Sequence, residues 1–256
     1  TETDDPAYLE LGCFDNLGKT DIVIASGGAG AVTCKNQQIA GTLHVIKTLV
    51  KDNGGTETAD DFSFQLNGGS ATAFDADSQN DVTVTPNTTY NVTEPTVSGY
   101  TTTYSGCSNI SIPPGGQATC TITNDDIAPS LQLVKEMIIN HNGIAVATDW
   151  TLSADGPTPI SGAGGATSDA TFDAGTYALS ESAGPAGYAQ GEWSCVKNDA
   201  QAVLGSSITL GLGDSATCTI GNMDRAGSLT VNKNIIGGGT ASDFSFIVND
   251  GSPIAF

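Results

Sequence analysis

The chain has little charge, and what it has is one-sided. Only 14% of its residues are Asp, Glu, Lys or Arg, against about 25% in an average soluble domain. Eight basic residues stand against 28 acidic ones, a net charge of −20, so a phosphate backbone is repelled and nucleic-acid binding is argued against. No apolar run approaches the roughly 18 residues of a membrane span. No segment sustains a 3.6-residue hydrophobic period, which speaks against helical bundles and coiled coils. The sequence opens at Thr1 without Met or signal peptide, so any targeting segment is expected to have been removed or to lie outside this window. Present in quantity are 32 glycines, with many Thr, Ser, Asn and Asp residues: the composition of short strands joined by turns. A hydrophobic fraction of 38% is low but sufficient for thin sandwich cores, which argues against wholesale disorder.

Internal repeats set the organisation. TLHVIK (42–47), SLQLVK (130–135) and SLTVNK (228–233) form one set. DDFSFQLNG (60–68), TDWTLSADG (148–156) and SDFSFIVNDG (242–251) form a second, and TYNVTE (89–94) and TYALSE (176–181) a third, with Thr1-Glu2 as a surviving stub. The fourth is ATCTITNDD (118–126) and ATCTIGNMD (216–224), with VTCKNQQ (32–38) as a shortened copy. Lys47 and Lys135 are 88 residues apart, and Lys135 and Lys233 are 98 apart. One unit is thus the size of a small β-sandwich. The expected division is a C-terminal part-repeat (1–40), whole repeats at 41–127 and 128–226, and an N-terminal part-repeat (227–256). A window cut from a longer tandem array is the preferred reading, with head-to-tail complementation of the part-repeats between chains as the alternative. Together the part-repeats still lack the equivalent of residues 75–92. About seven short strands in roughly 90 residues suit an immunoglobulin-like or transthyretin-like sandwich. The joints at 127–130 and 225–227 are too short to act as flexible tethers, so a stiff, elongated rod is expected.

Six cysteines fall as Cys13/Cys34, Cys107/Cys120 and Cys195/Cys218, one pair per repeat. Of the 15 pairings that six cysteines allow, periodicity selects the within-repeat one. Each bridge is expected to staple the penultimate strand to the last, closing loops of roughly 13 to 23 residues and contributing about 3 kcal/mol in the chain-entropy model. Reduced buried thiols are the alternative. Zinc has no C-x-x-C spacing to support it. Oxidised pairs imply an extracellular compartment.

Three of the seven lysines occupy an unexpected register. Residues two apart on a strand share a face, so Lys47 points with Leu43 and Val45, Lys135 with Leu131 and Leu133, and Lys233 with Leu229 and Val231. An unpaired buried ammonium costs several kcal/mol, so it needs a partner or must become neutral. The same parity supplies partners: Glu94 shares a face with Tyr90 and Val92, and Glu181 with Tyr177 and Leu179. Asn124 shares one with Cys120 and Ile122, and Asn222 with Cys218 and Ile220. A desolvated neutral amine is a good nucleophile. A buried carboxyl group can protonate the asparagine amide oxygen and shuttle protons. Attack on the side-chain carbonyl then expels ammonia and leaves a Lys–Asn isopeptide bond, with water excluded. Two blander readings stay open: an uncyclised buried ion pair with an asparagine hydrogen bond, and exposed lysines in a different register.

On these residues the repeats resemble the B-type domains of bacterial collagen-adhesin stalks and pilins, also called prealbumin-like or Cna-B-type domains. The signature is a first-strand Lys, an aromatic-x-aliphatic-x-Glu box and a last-strand Asn. Lys47, Tyr90-x-Val92-x-Glu94 and Asn124 match it, as do Lys135, Tyr177-x-Leu179-x-Glu181 and Asn222. In the part-repeats Glu2 and Lys233 match, and Asn36 matches if its strand is two residues shorter after Cys34. The disulfides are additional to the usual pattern, and no sortase signal or pilin lysine motif is visible. The resemblance implies a surface stalk or fibre.

Other signals are weaker. Asp60-Asp61, Asp125-Asp126 and Asp75/Asp77/Asp81 offer hard oxygen ligands for Ca²⁺, but solvated turn and capping aspartates explain them as well, and no metal or other cofactor is expected. Asn87, Asn91 and Asn109 begin N-glycosylation sequons, and Asn91 should face outward. His44 and His141 read as surface residues. Glycine runs such as 161–165 read as loops rather than phosphate cradles.

The leading functional reading is a structural, non-enzymatic segment of an extracellular stalk, adhesin or fibre, whose only chemistry is its own single-turnover cross-linking. Its partners are neighbouring repeats and an unidentified host or matrix ligand. The alternative is an array of carbohydrate- or protein-binding modules, for which Trp193 and Tyr104 are the candidate exposed aromatics. A secreted hydrolase lacks a repeated acid pair or a nucleophile–base constellation.

Overall fold

The computed structural model describes residues 5–15, 20 and 26–256. The chain begins with strands β1 (Tyr8–Asp15) and β2 (Val32–Gln38), an antiparallel pair. The first whole repeat follows as β3 (Gly41–Val50), β4 (Ser63–Leu66), β5 (Ala71–Ala73), β6 (Gln79–Val84), β7 (Thr89–Tyr90), β8 (Val92–Thr93), β9 (Tyr100–Ser105), β10 (Ile110–Ser111) and β11 (Gln117–Asp126). One sheet has the order β6-β3-β11-β9, the other β5-β4-β8, and β7 and β10 form a short ribbon. The alternation seen in the sequence is realised in β3, where Gly41, Leu43, Val45 and Lys47 are buried and the residues between them are not. Leu43, Val45, Phe62, Phe64, Phe74, Tyr90, Val92, Ile112 and Ile122 fill the space between the sheets.

The second repeat is built the same way. Its strands are β12 (Ser130–Ile138), β13 (Thr151–Asp155), β14 (Ile160–Ala163), β15 (Gly165–Thr167), β16 (Gly175–Glu181), β17 (Tyr188–Lys197), β18 (Val203–Leu204), β19 (Ser207–Leu210) and β20 (Ser215–Asp224). They form sheets of order β15-β12-β20-β17-β18 and β14-β13-β16-β19. Its separate core includes Leu131, Leu133, Leu152, Phe172, Tyr177, Trp193 and Ile220. The protein is therefore all-β, with two sandwiches in tandem and about two more short strands in each than the sequence spacing suggests. No described helix is long and apolar enough to cross a membrane.

In both repeats the first and last strands are parallel neighbours. Thr42 to Val50 lie opposite Gln117 to Asp125 in β3 and β11, and Ser130 to Ile138 lie opposite Ser215 to Met223 in β12 and β20. The second family of sequence repeats is a capped 3-10 turn that launches an aromatic strand. Asp61, Asp149 and Asp243 each accept the backbone N–H three residues earlier, from Thr58, Val146 and Thr240. Asp60 is held by the Thr58 hydroxyl.

All three disulfides are present, Cys13–Cys34, Cys107–Cys120 and Cys195–Cys218. In the whole repeats the first cysteine is not on the penultimate strand: Cys107 lies outside any strand, between β9 and β10. In the second repeat Cys195 on β17 lies directly across from Cys218 on β20, while β18 and β19 intervene along the chain. Spacing along the chain could not show this, because the sheet partner of a last strand is decided by hydrogen bonding and not by succession.

The two ends of the chain differ from the whole repeats. β1 and β2 reproduce the β17–β20 pair, bulge included. At the other end only β21 (Ser245–Phe246) and β22 (Ile254–Ala255) form. Leu229, Val231 and Lys233 are exposed and outside any strand, so the inward register expected for Lys233 is not found there. Its ammonium lies 4.1 Å from the centroid of the Phe244 ring instead. A face is buried only where a second sheet covers it, and around 228–233 none does.

Candidate functional site

Lys47 and Asn124 reach the core from the same sheet, on the parallel strands β3 and β11, while Glu94 arrives from the opposite sheet just after β8. Lys47 is 3% exposed and Asn124 fully buried, and the Glu94 side chain is completely covered. The Lys47 ammonium is paired with Glu94 Oε1 and donates to Asn124 Oδ1 at 2.7 Å. Phe62 and Phe74 roof it, with ring centroids 4.0 and 5.4 Å away. The other Glu94 oxygen accepts from the Thr102 hydroxyl at 3.1 Å, and the Glu94 backbone N–H donates to the Tyr104 hydroxyl. Burial holds the Lys47 amine below its ordinary value, against the opposing pull of Glu94.

The second repeat assembles the same three groups. Lys135 Nζ stands 2.9 Å from Glu181 Oε1, with both side chains covered, and Asn222 Nδ2 donates to Glu181 Oε2 at 3.0 Å. Lys135 also donates to Ile220 O at 3.3 Å and lies 5.2 Å from the Trp150 ring centroid. Exposed lysines, one of the sequence alternatives, are thereby set aside for these two repeats. Asn124 Nδ2 and Asn222 Oδ1 have no hydrogen-bond partner among the described residues. Each such buried orphan costs about 1–3 kcal/mol.

In the first part-repeat, Tyr8 pairs with Gln38 and Glu10 with Asn36, as Tyr188 pairs with Asp224 and Gln190 with Asn222. Counted from the tyrosine, Asn36 therefore takes the place of Asn222, on a strand shorter by two residues after its cysteine. Glu2 lies outside the described residues.

The sequence reading missed one residue per repeat. Asp126 and Asp224, two positions beyond each asparagine and on the same inward face, are buried. Asp126 accepts the backbone N–H groups of Asp52, Asn53 and Gly55, the last at 2.7 Å. Asp224 accepts those of Asn140, His141 and Gly143. Each carboxylate thus holds the turn that follows the lysine strand, and so the far end of that strand. Asp52, Asp125 and Asp126 place carboxylate oxygens within 4.8 Å of one another, but those of Asp126 are already taken by these amides. Parity alone could have marked Asp126, since Cys120, Ile122, Asn124 and Asp126 form one alternating series.

For Asp224, burial pushes the carboxyl up, but the three amides and His141 outweigh it and leave it below its ordinary value. A carboxylate depressed in the folded state gives its full contribution above that ordinary value and loses it as pH falls through the lowered one. Both tryptophans, Trp150 and Trp193, lie in the second repeat, so their fluorescence reports on it. Acid unfolding of this repeat is expected to set in below about pH 4, with a shallower acid limb in Asp224→Asn. An identical limb in that variant would remove Asp224 as the cause.

The two aromatics considered for ligand binding separate. Trp193 is buried in the second core, contrary to the sequence reading, because it stands two residues before Cys195 with no bulge between them and so shares its inward face. Tyr104 is exposed. His44 is partly covered and paired with Asp81 at 2.6 Å, and His141 is exposed on the Asp224 turn. Asn91 is exposed beside buried Val92.

A family model described as a prealbumin-like fold domain matches the chain twice, over residues 38–122 and 126–220. Among solved structures, the Bacillus anthracis TIE protein is similar at 13% identity and TM-score 0.48, over 77% of this chain and 38% of that one. The major pilin T3.2 of Streptococcus pyogenes is similar at 14% identity and TM-score 0.37, over 72% of this chain and 97% of that one. GBS52, the minor pilin of Streptococcus agalactiae, is similar at 12% identity and TM-score 0.29, over 75% of this chain and all of that one. The chain spans little more than a third of the TIE protein. No curated protein sequence matches it.

Proposed function

Because the chain belongs to the prealbumin-like fold domain family, with two copies in tandem, we propose that it is a structural segment of an extracellular stalk or fibre at a cell surface. In this reading its modules, 41–127 and 128–226, weld themselves shut with internal Lys–Asn bonds. The observation that carries the proposal is the burial of one amine, one carboxyl and one carboxamide together in each module, joined through the Lys47 amine in the first and through the Glu181 carboxyl in the second. An ion pair between covered groups gains little over an apolar replacement once desolvation is counted, so stability alone does not account for it. Reaction does.

The proposed step balances within the trio. Proton transfer from the Lys47 ammonium to Glu94 leaves a neutral amine beside the Asn124 carbonyl, and burial favours that form. The Nζ lone pair forms a bond to Cγ while Glu94 protonates Oδ1. The adduct collapses as Oδ1 returns its proton to Glu94 and Nδ2 takes up the amine's proton and departs as ammonia, which then carries the remaining proton away from Glu94 as ammonium and so regenerates the carboxylate. A secondary amide remains between Lys47 and Asn124, and the orphaned Nδ2 is gone. In the second module Lys135, Glu181 and Asn222 take the same parts. Each module reacts once and acts on no external substrate.

Intact-mass measurement tests this directly. Each bond removes one ammonia and each disulfide two hydrogens, so two bonds with three disulfides give a fixed deficit from the sequence mass. A deficit of six hydrogens alone would leave the ionic network as the whole of the site. The presence of disulfides agrees with an extracellular setting, and the net charge of −20 disfavours indiscriminate self-association.

A further inference from the structure

Asn53 is buried, at 6% exposure, yet belongs to neither hydrophobic core. It lies in the turn after β3, its backbone N–H bound by Asp126, and reaches into the other module. Its side-chain amide donates to Ala170 O at 3.0 Å, and its carbonyl accepts from Ala174 N at 2.8 Å. The next residue, Gly54, has φ +87°, and a Cβ there would stand 3.1 Å from both the nitrogen and the oxygen of Ala174.

A second contact lies at the covalent link. Ile127 N donates to Gly99 O of the first module at 2.9 Å, and Ile127 O accepts from Gly213 N of the second at 2.8 Å. Gly99, at φ +82°, passes the second module so closely that a Cβ would fall 2.7 Å from Leu212 Cβ. The preceding link has the same form: Ile39 N donates to Ala7 O, and Ile39 O accepts from Gly115 N. The turn construction is also repeated, since Asp224 holds residues 140–143 as Asp126 holds 52–55. There His141 replaces Asn53, so the amide bridge is particular to the junction between the two whole modules.

We infer that the turn at Asn53 is a latch for the following module, which locks the two sandwiches in one relative orientation. One contact leaves a module free to rotate about it; two separated contacts do not. Asn53 is the positioning residue, because among the described residues it alone supplies a side-chain hydrogen bond to the bridge, and its partners are backbone groups of the turn 170–174. The latch stands whether or not the lysine bonds form.

The test uses the whole chain in solution. Residual dipolar couplings from the two modules should fit one shared alignment tensor, and the Ala174 amide, whose partner is Asn53 O, should exchange slowly. In Asn53→Asp a carboxylate faces the Ala170 carbonyl, and in Gly54→Val a branched side chain meets Ala174. Each variant should lose the shared tensor while the couplings within each module still fit their own sandwich. Separate tensors in the parent, or fast Ala174 exchange there, would overturn the latch without help from any variant. A shared tensor retained in both folded variants would do so too. Intact mass, measured on the same samples, keeps a failure of the latch distinct from a failure of the cross-links.

Discussion

A Lys135→Ala chain should weigh one ammonia more, relative to its own sequence mass, than the parent does, and its second module should melt first. The alanine removes the nucleophile, so Asn222 keeps its amide and the mass deficit falls from two ammonias to one. It also leaves Glu181, covered in the parent, without its lysine partner, and relative to an unreacted parent, stranding one member of a buried charged pair costs about 3–5 kcal/mol. That is a large share of the roughly 5–15 kcal/mol that holds a domain folded. Glu181→Gln separates the two contributions: it keeps the volume and removes the proton shuttle, so the ammonia should be retained while Lys135 is still in place. A parent and a Lys135→Ala variant with the same deficit would exclude the bond in this module and leave the ion pair.

Asp126→Ala is the second large effect expected, and it owes nothing to the cross-link chemistry. The substitution removes the acceptor of three backbone amides in the turn 52–55. Hydrogen bonds to a charged group are worth about 1.5–3 kcal/mol each, and solvent can enter and satisfy part of what is lost, so a net loss of about 3–5 kcal/mol is expected in the first module. Urea unfolding followed by backbone amide signals of residues 41–127 measures it. The same turn carries Asn53, so the variant should also free the junction. A loss below about 1 kcal/mol, the scale of an ordinary surface change, would show that the turn holds itself.

Much of this site was legible in the sequence, because period-two alternation reports which face a side chain takes on a strand without a bulge. Lys47 and Lys135 were marked by sharing parity with leucines and valines, and Glu94, Glu181, Asn124 and Asn222 by the same count. Parity does not report what lies opposite. For Lys233 the parity is identical, but no second sheet covers residues 228–233, so the side chain stays in solvent. Trp193 was within reach of parity, since it stands two residues before Cys195 with no bulge between them, and the reading of it as an exposed aromatic did not use that count. Asn53 was beyond reach altogether, since its partners Ala170 and Ala174 contribute backbone atoms, which leave no trace in residue identity. Asp126 and Asp224 are within reach of the same count, since each continues the alternating series of its asparagine, although the sequence reading names only Asp126, as a calcium or turn aspartate.

The parallel pairing of β3 with β11 has a mechanical consequence. The chain enters β3 at Gly41 and leaves β11 at Asp126, and in a parallel pair these two points lie at opposite ends of the ladder. Tension along the polypeptide therefore slides the two strands lengthwise past each other, so every rung from Thr42 to Val50 shares the strain together. An antiparallel pair tugged from one end would open rung by rung, like a zip. Even a module whose lysine had never reacted would yield abruptly and at high force, and a tether spanning the two strands would only raise that threshold.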